Sequence, residues 1–590
     1  MNIKYFMWAF QPHFRVACQS TAERIFTKLD ARFTPEVFLV GIRFAPDDAQ
    51  YAACVEPEAD FWIHSTEFNN VLTSAHAIVK TYPESQMFQT HPVAQKDQDD
   101  GLRLRSIRDS IRQVVDGCAG KPREMSYFVS YPNKINGYEV HVVLGLQKNV
   151  LDSHYSLRRS KVALHECRDV PVATSLIYAT VTEFLAARAE ELLKPDAGVT
   201  MASTGADEIM RRAGNDVMTG VVWRIDQNCI SGMWELFQSC NTISSQYYER
   251  SIGIGSIYLG RREHPSLKPI VTFAKPPQLN DYRSARKILQ LASKGMPLHS
   301  DSEQVYGLCS LDVLREEDED LFEVKILGHY DWELRHAGKA LMRVKYGVPH
   351  LPKPPFDETK LRLDLPRIFP KVTPDAVSKI VRLVREAAKE SHGTMLVIAE
   401  HAAEEAIRLK TESIPVQPCD LTPELIRHLT PIDGAVIVDT EAKCHAIGVI
   451  LDGLANDRGD PGRGARYNSA ILYVPSAFEG RFAIVISEDH GVDFVPKLRP
   501  RVRRSEIERV IRELESIASA PKIVRGKYAS LFDWCEEHRF YMTQSDCFAI
   551  NALVPKIESR LEREDPSAVR FVRQPFSVDP DMDESFYYEK

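Results

Sequence analysis

The sequence predicts a multidomain chain in which α+β modules precede an α/β domain near the C-terminus, a mixed sheet flanked by helices. The chain has 590 residues, which is more than a single hydrophobic core can serve. Its composition, 44% hydrophobic and 26% charged, is typical of globular domains. Short apolar runs rich in β-branched residues alternate with segments of helical periodicity, and this alternation indicates strands and helices layered together.

Residues 1–194 are predicted to form the first α+β module. Buried strands are expected at residues 36–42 and 138–146, where β-branched and aliphatic residues are concentrated. A long amphipathic helix is expected at residues 175–193. The polar stretch 92–101 is predicted to be a loop.

Residues 195–351 are predicted to form a second α/β module, with strands at residues 255–259, 270–274, 305–310 and 322–327. Asp281 can cap a helix over residues 282–292. The spacing predicts that Ile288 and Leu291 face inward, while the basic side chains face solvent, namely Arg283, Arg286 and Lys287.

The remaining boundaries follow from prolines and helix caps. Residues 352–372 begin with several prolines and are interpreted as a linker. Thr373 and Thr422 are each followed by proline, the pattern that begins a capped helix. An α/β nucleotide-binding domain is expected at residues 373–504. Residues 505–590 are expected to form a helical extension with a frayed acidic tail.

Three short islands organise the C-terminal domain. The first is Asp433-Gly434-Ala435, which lies between a helix and a strand. The second runs from Gly464 to Ala470 and opens a predicted helix after a glycine-rich loop with Gly453, Gly459 and Gly462. The third, Ser487-Glu488-Asp489, follows a buried strand predicted at residues 482–486. Each island lies at the edge of an apolar run, where loops project ligands.

This arrangement indicates a phosphate site with metal. Glycines let the backbone approach an anion, and the first N–H groups of a helix attract phosphate. Arg466 adds a planar cationic fork. Asp433 and Glu488 are carboxylates of the kind that bind divalent ions in phosphoryl transfer. The alternative is a solvated glycine loop beside two surface acids, and spacing alone leaves both open.

The residues of the islands resemble the diadenylate cyclase (DAC) domain family, the catalytic domain of the DNA-integrity scanning protein and its relatives. The resemblance covers about residues 373–498, and the DGA match is complete. The family's G-T-R-H-R-A-A stands here as G-A-R-Y-N-S-A, and its S-E-E as S-E-D. Weaker similarity to sensor modules that precede DAC domains lies in PEVFLVGI, from residue 35, and WELRHAGKALMRVKYG, from residue 332.

The resemblance implies a regulated enzyme that condenses two ATP molecules into cyclic di-AMP and pyrophosphate, working as a homodimer or higher homo-oligomer. Asp433, Glu488 and Arg466 would be catalytic, and the two acids would bind Mg²⁺ or Mn²⁺. The nucleotide-binding residues would be Gly434, Ala435, Leu451, Gly464, Ala465, Arg466, Tyr467, Asn468, Ser469 and Ser487.

Two alternatives stay open. The same pocket could belong to a catalytically weak or inactive regulator that binds a nucleotide and passes a signal to the N-terminal modules. The second alternative, and the third hypothesis in all, is a different nucleotidyltransferase. Its polymerase-like G-S followed by D-x-D is missing, because Gly255-Ser256 is followed by Ile257-Tyr258.

The net charge and the cysteines indicate which partners and which cellular compartment to expect. A net charge of −8 does not predict general nucleic-acid binding. The 11 cysteines are scattered without a C-x-x-C pair, which predicts reduced thiols and a cytoplasmic location. No apolar run reaches the roughly 20 residues of a membrane span, so no membrane anchor is expected.

Overall fold

The computed structural model describes residues 7–45, 49–58, 61–119, 124–164, 168–194, 198, 204–226, 232–248, 251–252, 254–294, 296–312, 315–352, 356–389, 393–452, 464–476, 480–487, 491–521, 523–564, 574–580 and 582–588. The chain divides into two compact units, Met1–Pro352 and Lys353–Lys590. It is a mixed α/β protein with several sheets flanked by helices.

The first unit begins with an antiparallel sheet of five strands in the order β2-β1-β5-β3, with β4 paired to β5. Its strands are β1 (Glu36–Arg43), β2 (Ala53–Glu56), β3 (Met125–Val129), β4 (Asn133–Ile135) and β5 (Tyr138–Gln147). The helices are α1 (Gln11–Leu29), α2 (Val71–Val79), α3 (Pro92–Ala119), α4 (Lys148–Asp152) and α5 (Leu176–Leu192). A hairpin of β6 (Lys161–Leu164) and β7 (Arg168–Pro171) lies between α4 and α5.

Alternation along β1 builds a core on each face of this sheet. Val37 and Leu39 pack in the cluster that includes buried residues of α1 and α5. Phe38 and Val40 pack on the opposite face with buried residues of α2 and α3. Because both faces are covered, the interior of β1 is buried throughout, which explains why the sequence reads as a continuous apolar run.

The prediction of a loop at residues 92–101 is wrong, because this stretch forms the first part of α3. Its side chains are mostly exposed, so no apolar stripe marks the helix there. Polar contacts replace that stripe. Gln95 Nε2 donates to Asp99 Oδ1 at 2.9 Å, four residues later, and Gln98 Nε2 donates to the carbonyl of Glu84 at 2.9 Å.

The rest of the first unit is built on an eight-stranded sheet in the order β11-β13-β12-β10-β14-β15-β16-β17. The helices are α6 (Ala206–Ile225), α7 (Gly232–Ser245) and α8 (Tyr282–Leu289). The strands are β8 (Tyr247–Tyr248), β9 (Ser251–Ile252), β10 (Gly255–Leu259), β11 (Leu267–Thr272), β12 (Leu298–Ser300), β13 (Val305–Leu311), β14 (Phe322–Gly328), β15 (Asp331–His336), β16 (Lys339–Lys345) and β17 (Val348–His350), of which β8 and β9 form a separate pair. Four of these strands match the predicted ones to within a few residues.

The second unit contains a six-stranded mixed sheet in the order β19-β21-β20-β18-β22-β23. The strands are β18 (Thr394–Ala399), β19 (Ile414–Asp420), β20 (Ala435–Val438), β21 (Lys443–Val449), β22 (Arg481–Ile486) and β23 (Val492–Val495). The helices are α9 (Glu358–Ile368), α10 (Pro374–Ala387), α11 (Ala402–Arg408), α12 (Pro423–Leu429), α13 (Ala465–Tyr473), α14 (Arg504–Ser519), α15 (Arg525–Glu537) and α16 (Gln544–Glu564). The predicted mixed sheet flanked by helices is therefore present.

Each face of this sheet carries its own helices. One face packs against α9, α10 and α12, and the other against α11 and α13. Thr373 Oγ1 accepts from Ala376 N and Thr422 Oγ1 from Leu425 N, both at 3.2 Å, so the predicted caps begin α10 and α12. Helix α9 lies within the stretch 352–372 that was interpreted as a linker.

The last three helices surround a separate apolar cluster. The expectation of a frayed tail is wrong for its described part. Val502 N donates to the carbonyl of Phe586 at 3.0 Å, and Tyr588 N donates to that of Val502 at 3.1 Å. The ring of Phe586 packs edge-on against Phe540 with centroids 5.0 Å apart. Aromatic burial outweighs the acidic character of the tail.

Candidate functional site

One edge of the six-stranded sheet collects the predicted islands. Ala435 in β20 pairs with Val449 in β21 on one side and with Met395 in β18 on the other, and Met395 pairs with Val485 in β22. Two positions from these paired residues, toward the same end of the sheet, the four chain segments carry Leu451, Asp433, Gly393 and Ser487. Neighbouring strands lie about 4.8 Å apart, so Asp433 and Ser487, with β18 between them, follow strands about 10 Å apart.

The turn before β20 requires glycine at position 434. Gly434 has a φ of +101°, a conformation that side chains disfavour. A Cβ atom there would also lie 2.6 Å from the carbonyl carbon of Gly448 and 2.8 Å from the nitrogen of Val449. The turn therefore presses against the end of β21, and it leaves the side chain of Asp433 99% exposed. The Asp433 carboxylate is available to a ligand at the sheet edge.

Helix α13 points its N-terminus at this edge. Gly464 is its N-cap residue, and an added Cβ there would meet no atom of the described residues within 4 Å. Arg466 Nη2 lies 3.4 Å from Asp433 Oδ1, which joins the first and second islands. The first turn of α13, the Arg466 guanidinium and the Asp433 carboxylate therefore lie close to one another.

Three of the other predicted residues of α13 are half-buried, namely Tyr467, Asn468 and Ser469. Tyr467 packs against the apolar cluster under α13, as does Leu451 at the exit of β21. Asn468 Nδ2 lies 3.4 Å from the carbonyl oxygen of Gly464, one helical turn earlier. Ala465 is exposed and Ser469 is half-buried. Tyr467 and Leu451 therefore contribute apolar surface near the polar start of α13.

The third island is described only at Ser487. Its backbone N–H and its hydroxyl both donate to the carbonyl of Gly491, at 2.9 and 3.0 Å. These bonds close the turn between β22 and β23. Glu488 and Asp489 lie outside the described residues, as do Gly453, Gly459 and Gly462 of the glycine-rich loop.

The sequence analysis missed a charged network that connects α11, α13, β22 and the end of β21. Glu405 on α11 accepts hydrogen bonds from Arg408 at 2.9 Å, from Tyr473 of α13 at 2.9 Å and from Arg481 of β22 at 2.6 Å. Burial alone would raise the pKa of Glu405, but these donors and the charge of Arg481 outweigh it and lower the pKa. The carboxylate therefore stays ionised and ties α11, α13 and β22 together.

The same network also includes Asp452, which follows the end of β21. Arg408 makes a two-pronged contact with Asp452, with Nη2 2.7 Å from Oδ1. The hydrogen bonds from Arg408 lower the pKa of Asp452 and keep it charged. Only the spacing of Glu405 and Arg408 along one helix was visible in the sequence, because Asp452, Tyr473 and Arg481 are distant along the chain. These residues position the segment that carries Leu451.

The described residues suit a metal that arrives with a nucleotide. Among them, no group of three or more His, Cys, Asp or Glu side chains could hold a metal ion by itself. Asp433 supplies one exposed carboxylate next to the helix start. Mg²⁺ is commonly held by one or two carboxylates together with substrate phosphates and water, so this donor set is compatible with Mg²⁺ or Mn²⁺.

Two family models match the first unit. Residues 7–218 match the model described as "Probable sensor domain DACNG", and residues 234–338 match "Probable sensor domain DACNH". The N-terminal part of the chain therefore matches probable sensor domains, as the sequence analysis expected. Within the described residues, no helix has the length and apolar character needed to cross a membrane.

Solved structures give weak similarities. DacA from Staphylococcus aureus, solved as a double cysteine mutant, is 20% identical over 24% of this chain and 97% of that one, with a TM-score of 0.19. A hypothetical membrane spanning protein from Bacillus cereus is 21% identical over 23% of this chain and 66% of that one, also with a TM-score of 0.19. No curated protein matches the chain.

Proposed function

We propose that the second unit is a diadenylate cyclase-like nucleotidyltransferase that condenses two ATP molecules into cyclic di-AMP and two pyrophosphates. The observation that carries the proposal is the convergence at one sheet edge of the DGA turn, the start of α13 and the exit of β22. The approach of Arg466 to Asp433 joins two islands whose residues resemble those of the DAC family. The sensor region would regulate this activity.

The chemistry requires two in-line displacements. The 3′-oxygen of each ATP attacks the α-phosphorus of the other, pyrophosphate leaves, and each hydroxyl gives up its proton. Catalysis of this kind depends mainly on positioning and on stabilising negative charge. Asp433 would bind a divalent ion and help to deprotonate the hydroxyl, and Arg466 with the α13 N-terminus would hold phosphates. Gly434 and Ala435 would let the nucleotide lie against the backbone, and Ser487 and Glu488 would complete the site.

Each site would hold one nucleotide, so two sites must face each other and the active form would be a homodimer or a larger homo-oligomer. The exposure of Asp433 supports this requirement, because a carboxylate at an open sheet edge is accessible to a nucleotide held by a second copy. The metal, Mg²⁺ or Mn²⁺, would arrive with ATP.

A nucleotide-binding regulator with little or no turnover is the second candidate. The observation that favours it is the pair Tyr467-Asn468, which stands where the DAC family usually has His and Arg. Both residues are neutral at pH 7, and charge-assisted hydrogen bonds are about twice as strong as neutral ones. A site with fewer cations would bind the triphosphate of a nucleotide less tightly and stabilise the transition state less.

The test is to incubate the full chain with ATP and MnCl₂ or MgCl₂ and to separate the products by ion-exchange chromatography with mass detection. We expect cyclic di-AMP, with a specific rate that falls when dilution dissociates the oligomer.

Asp433→Asn should abolish product without changing the melting temperature. Asp420→Asn is the matched control, because Asp420 is exposed and pairs with Lys443 at the opposite end of β21.

The outcomes separate the candidates. ATP binding without any dinucleotide would support the regulator, and a different nucleotide product would support another transferase. Normal cyclisation by Asp433→Asn would assign that residue a structural role. Failure to bind ATP would reject both candidates.

A further inference from the structure

An open surface pocket of about 680 Å³ lies on the first unit, between the segment that follows β11 and helix α8. Its volume is within the range of small-molecule sites. It lies inside the stretch that matches a probable sensor domain, residues 234–338. The lining residues are Thr272, Phe273, Ala274, Lys275, Pro277, Ser284, Lys287, Ile288, Gln290 and Leu291.

Helix α8 and the turn after it form one wall of the pocket. One face of this segment lines the pocket, and the other face is buried in the core. Ser284, Lys287, Ile288 and Leu291 have the spacing i, i+3, i+4, i+7 and therefore form one stripe, which lines the pocket. Ala285 and Leu289 on the other side are buried in the core. The predicted orientation of this helix was partly wrong. Leu291 is 52% exposed, whereas Arg286 is buried and donates from Nε to the carbonyl of Gln246 at 2.9 Å.

Backbone hydrogen bonds hold the opposite wall against β13. Phe273 N donates to the carbonyl of Tyr306 at 2.9 Å, and Leu279 N donates to that of Glu303 at 2.7 Å. Gly307 has a φ of +150°, and a Cβ there would lie 1.8 Å from the carbonyl oxygen of Val271. Since only glycine permits this approach, Gly307 fixes the path on which the chain leaves β11.

The charges on the lining have one sign. Lys275 and Lys287 come from opposite walls, and no lining residue is acidic. Within the described part of the chain, neither ammonium group has an ion-pair partner. Phe273, Ile288 and Leu291 offer an apolar surface between them, and the hydroxyls of Thr272 and Ser284 can form hydrogen bonds. An anion with an apolar body would satisfy both kinds of lining.

We propose that this pocket binds a small organic anion, a molecule with a carboxylate, sulfonate or phosphate group on an aromatic or aliphatic body. Lys275 and Lys287 would hold the anionic group, and Phe273, Ile288 and Leu291 would contact the body. The ligand is the input of the sensor region. This inference does not depend on the proposed cyclase activity, because the pocket and the Asp433 edge belong to different units.

The test uses the full chain and two fluorescent probes of nearly equal shape. One is 8-anilinonaphthalene-1-sulfonate, and the other is its neutral analogue N-phenyl-1-naphthylamine. We expect saturable binding of the sulfonate, tighter than that of the neutral probe. The double variant Lys275→Gln/Lys287→Gln should weaken sulfonate binding at least about tenfold, because two charge-assisted contacts are lost, and should leave the neutral probe unchanged.

Lys345→Gln is the matched control, because Lys345 is an exposed lysine of the same unit outside the pocket. Hydrogen–deuterium exchange should show that the sulfonate protects residues 272–291. The proposal is overturned if the sulfonate does not bind, if protection falls elsewhere, or if the double variant binds it as tightly as the unmodified chain. Equal weakening by Lys345→Gln would also overturn it, since it would indicate a general charge effect.

Discussion

Arg466 Nη2 lies 3.4 Å from Asp433 Oδ1, although the two residues are 33 positions apart in the chain. The Asp433 side chain is 99% exposed, so solvent screens this pair and its contribution to stability is small. Exchanging this contact for contacts with a ligand would therefore cost the Asp433 carboxylate little. Under the proposed function, the two groups would neutralise each other until a nucleotide and a divalent ion bind.

Replacing Arg466 with alanine should weaken ATP binding by about 1–3 kcal/mol, the range for a hydrogen bond to a charged group. Isothermal titration calorimetry with ATP and a divalent ion would measure the change. Arg382→Ala is the matched control, because Arg382 is an exposed arginine on α10, outside the site. Unchanged affinity in Arg466→Ala would reject the placement of the phosphates at the start of α13.

Gly434→Ala should lower the free energy of unfolding by about 1–3 kcal/mol, because alanine is strained at positive φ and its Cβ would clash with Gly448. ATP affinity should fall as well, since the turn must move. Urea unfolding measures the stability change. Gly526→Ala serves as the control, because its added Cβ meets no atom within 4 Å and it lies in α15. Equal stability of the Gly434 variant would show that the turn has room to relax.

Restoring the positive charges of the DAC pattern should raise turnover. In Tyr467→His/Asn468→Arg, the added cation lies near the start of α13, where it can stabilise the triphosphate. The neutral double variant Tyr467→Phe/Asn468→Gln controls for the change of shape. Steady-state rates of cyclic di-AMP formation from ATP would compare the three proteins. A parent chain as fast as its restored variant would show that this protein neutralises the phosphates in another way.

A chain that begins at Lys353, the first residue of the second unit, should keep its ATP affinity. The physical reason is that all the predicted site residues belong to that unit, which has its own cores. Calorimetry on the shortened chain, with circular dichroism to verify folding, measures this. Loss of ATP binding in a folded protein would show that the sensor region contributes to the site.

Cys419 in β19 and Cys444 in β21 are cross-strand partners. Antiparallel partners have Cα atoms about 4.5–5.5 Å apart, which is within the range that a disulfide spans. Burial raises the pKa of the Cys444 thiol to about 11, so a reagent reaches the exposed Cys419 first. Diamide should therefore join the two sulfurs, with loss of two hydrogen atoms and reduction of diamide to its hydrazine.

Mass spectrometry of the digested, unreduced protein would detect the joined peptides. Cys419→Ser should prevent the crosslink, whereas Cys118→Ser, at another exposed cysteine, should leave it intact. Absence of the crosslink in the unmodified chain would contradict the observed register of β19 on β21.

Local patterns predicted well wherever burial repeats regularly along the chain. The strands that became β5, β10 and β22 were predicted within one or two residues, because they are mostly buried and most of their residues are apolar. The prediction failed where contacts are polar or distant. The first part of α3 has no apolar stripe, and the inward side of α8 was misassigned because buried Arg286 satisfies its donor on a distant carbonyl.

For the candidate site, the sequence by itself determined the residue types: the DGA turn, the glycine before a helix, Arg466 and the capped helix starts. Each of these is a short-range pattern governed by backbone conformation and helix periodicity. Only the tertiary structure decided that Asp433, Leu451 and Ser487 lie at one sheet edge and that Arg466 contacts Asp433. It also decided that Glu405 and Arg408 connect the neighbouring elements through hydrogen bonds. Those relationships depend on strand order and hydrogen-bond register between distant segments, and periodicity along the chain carries no information about either.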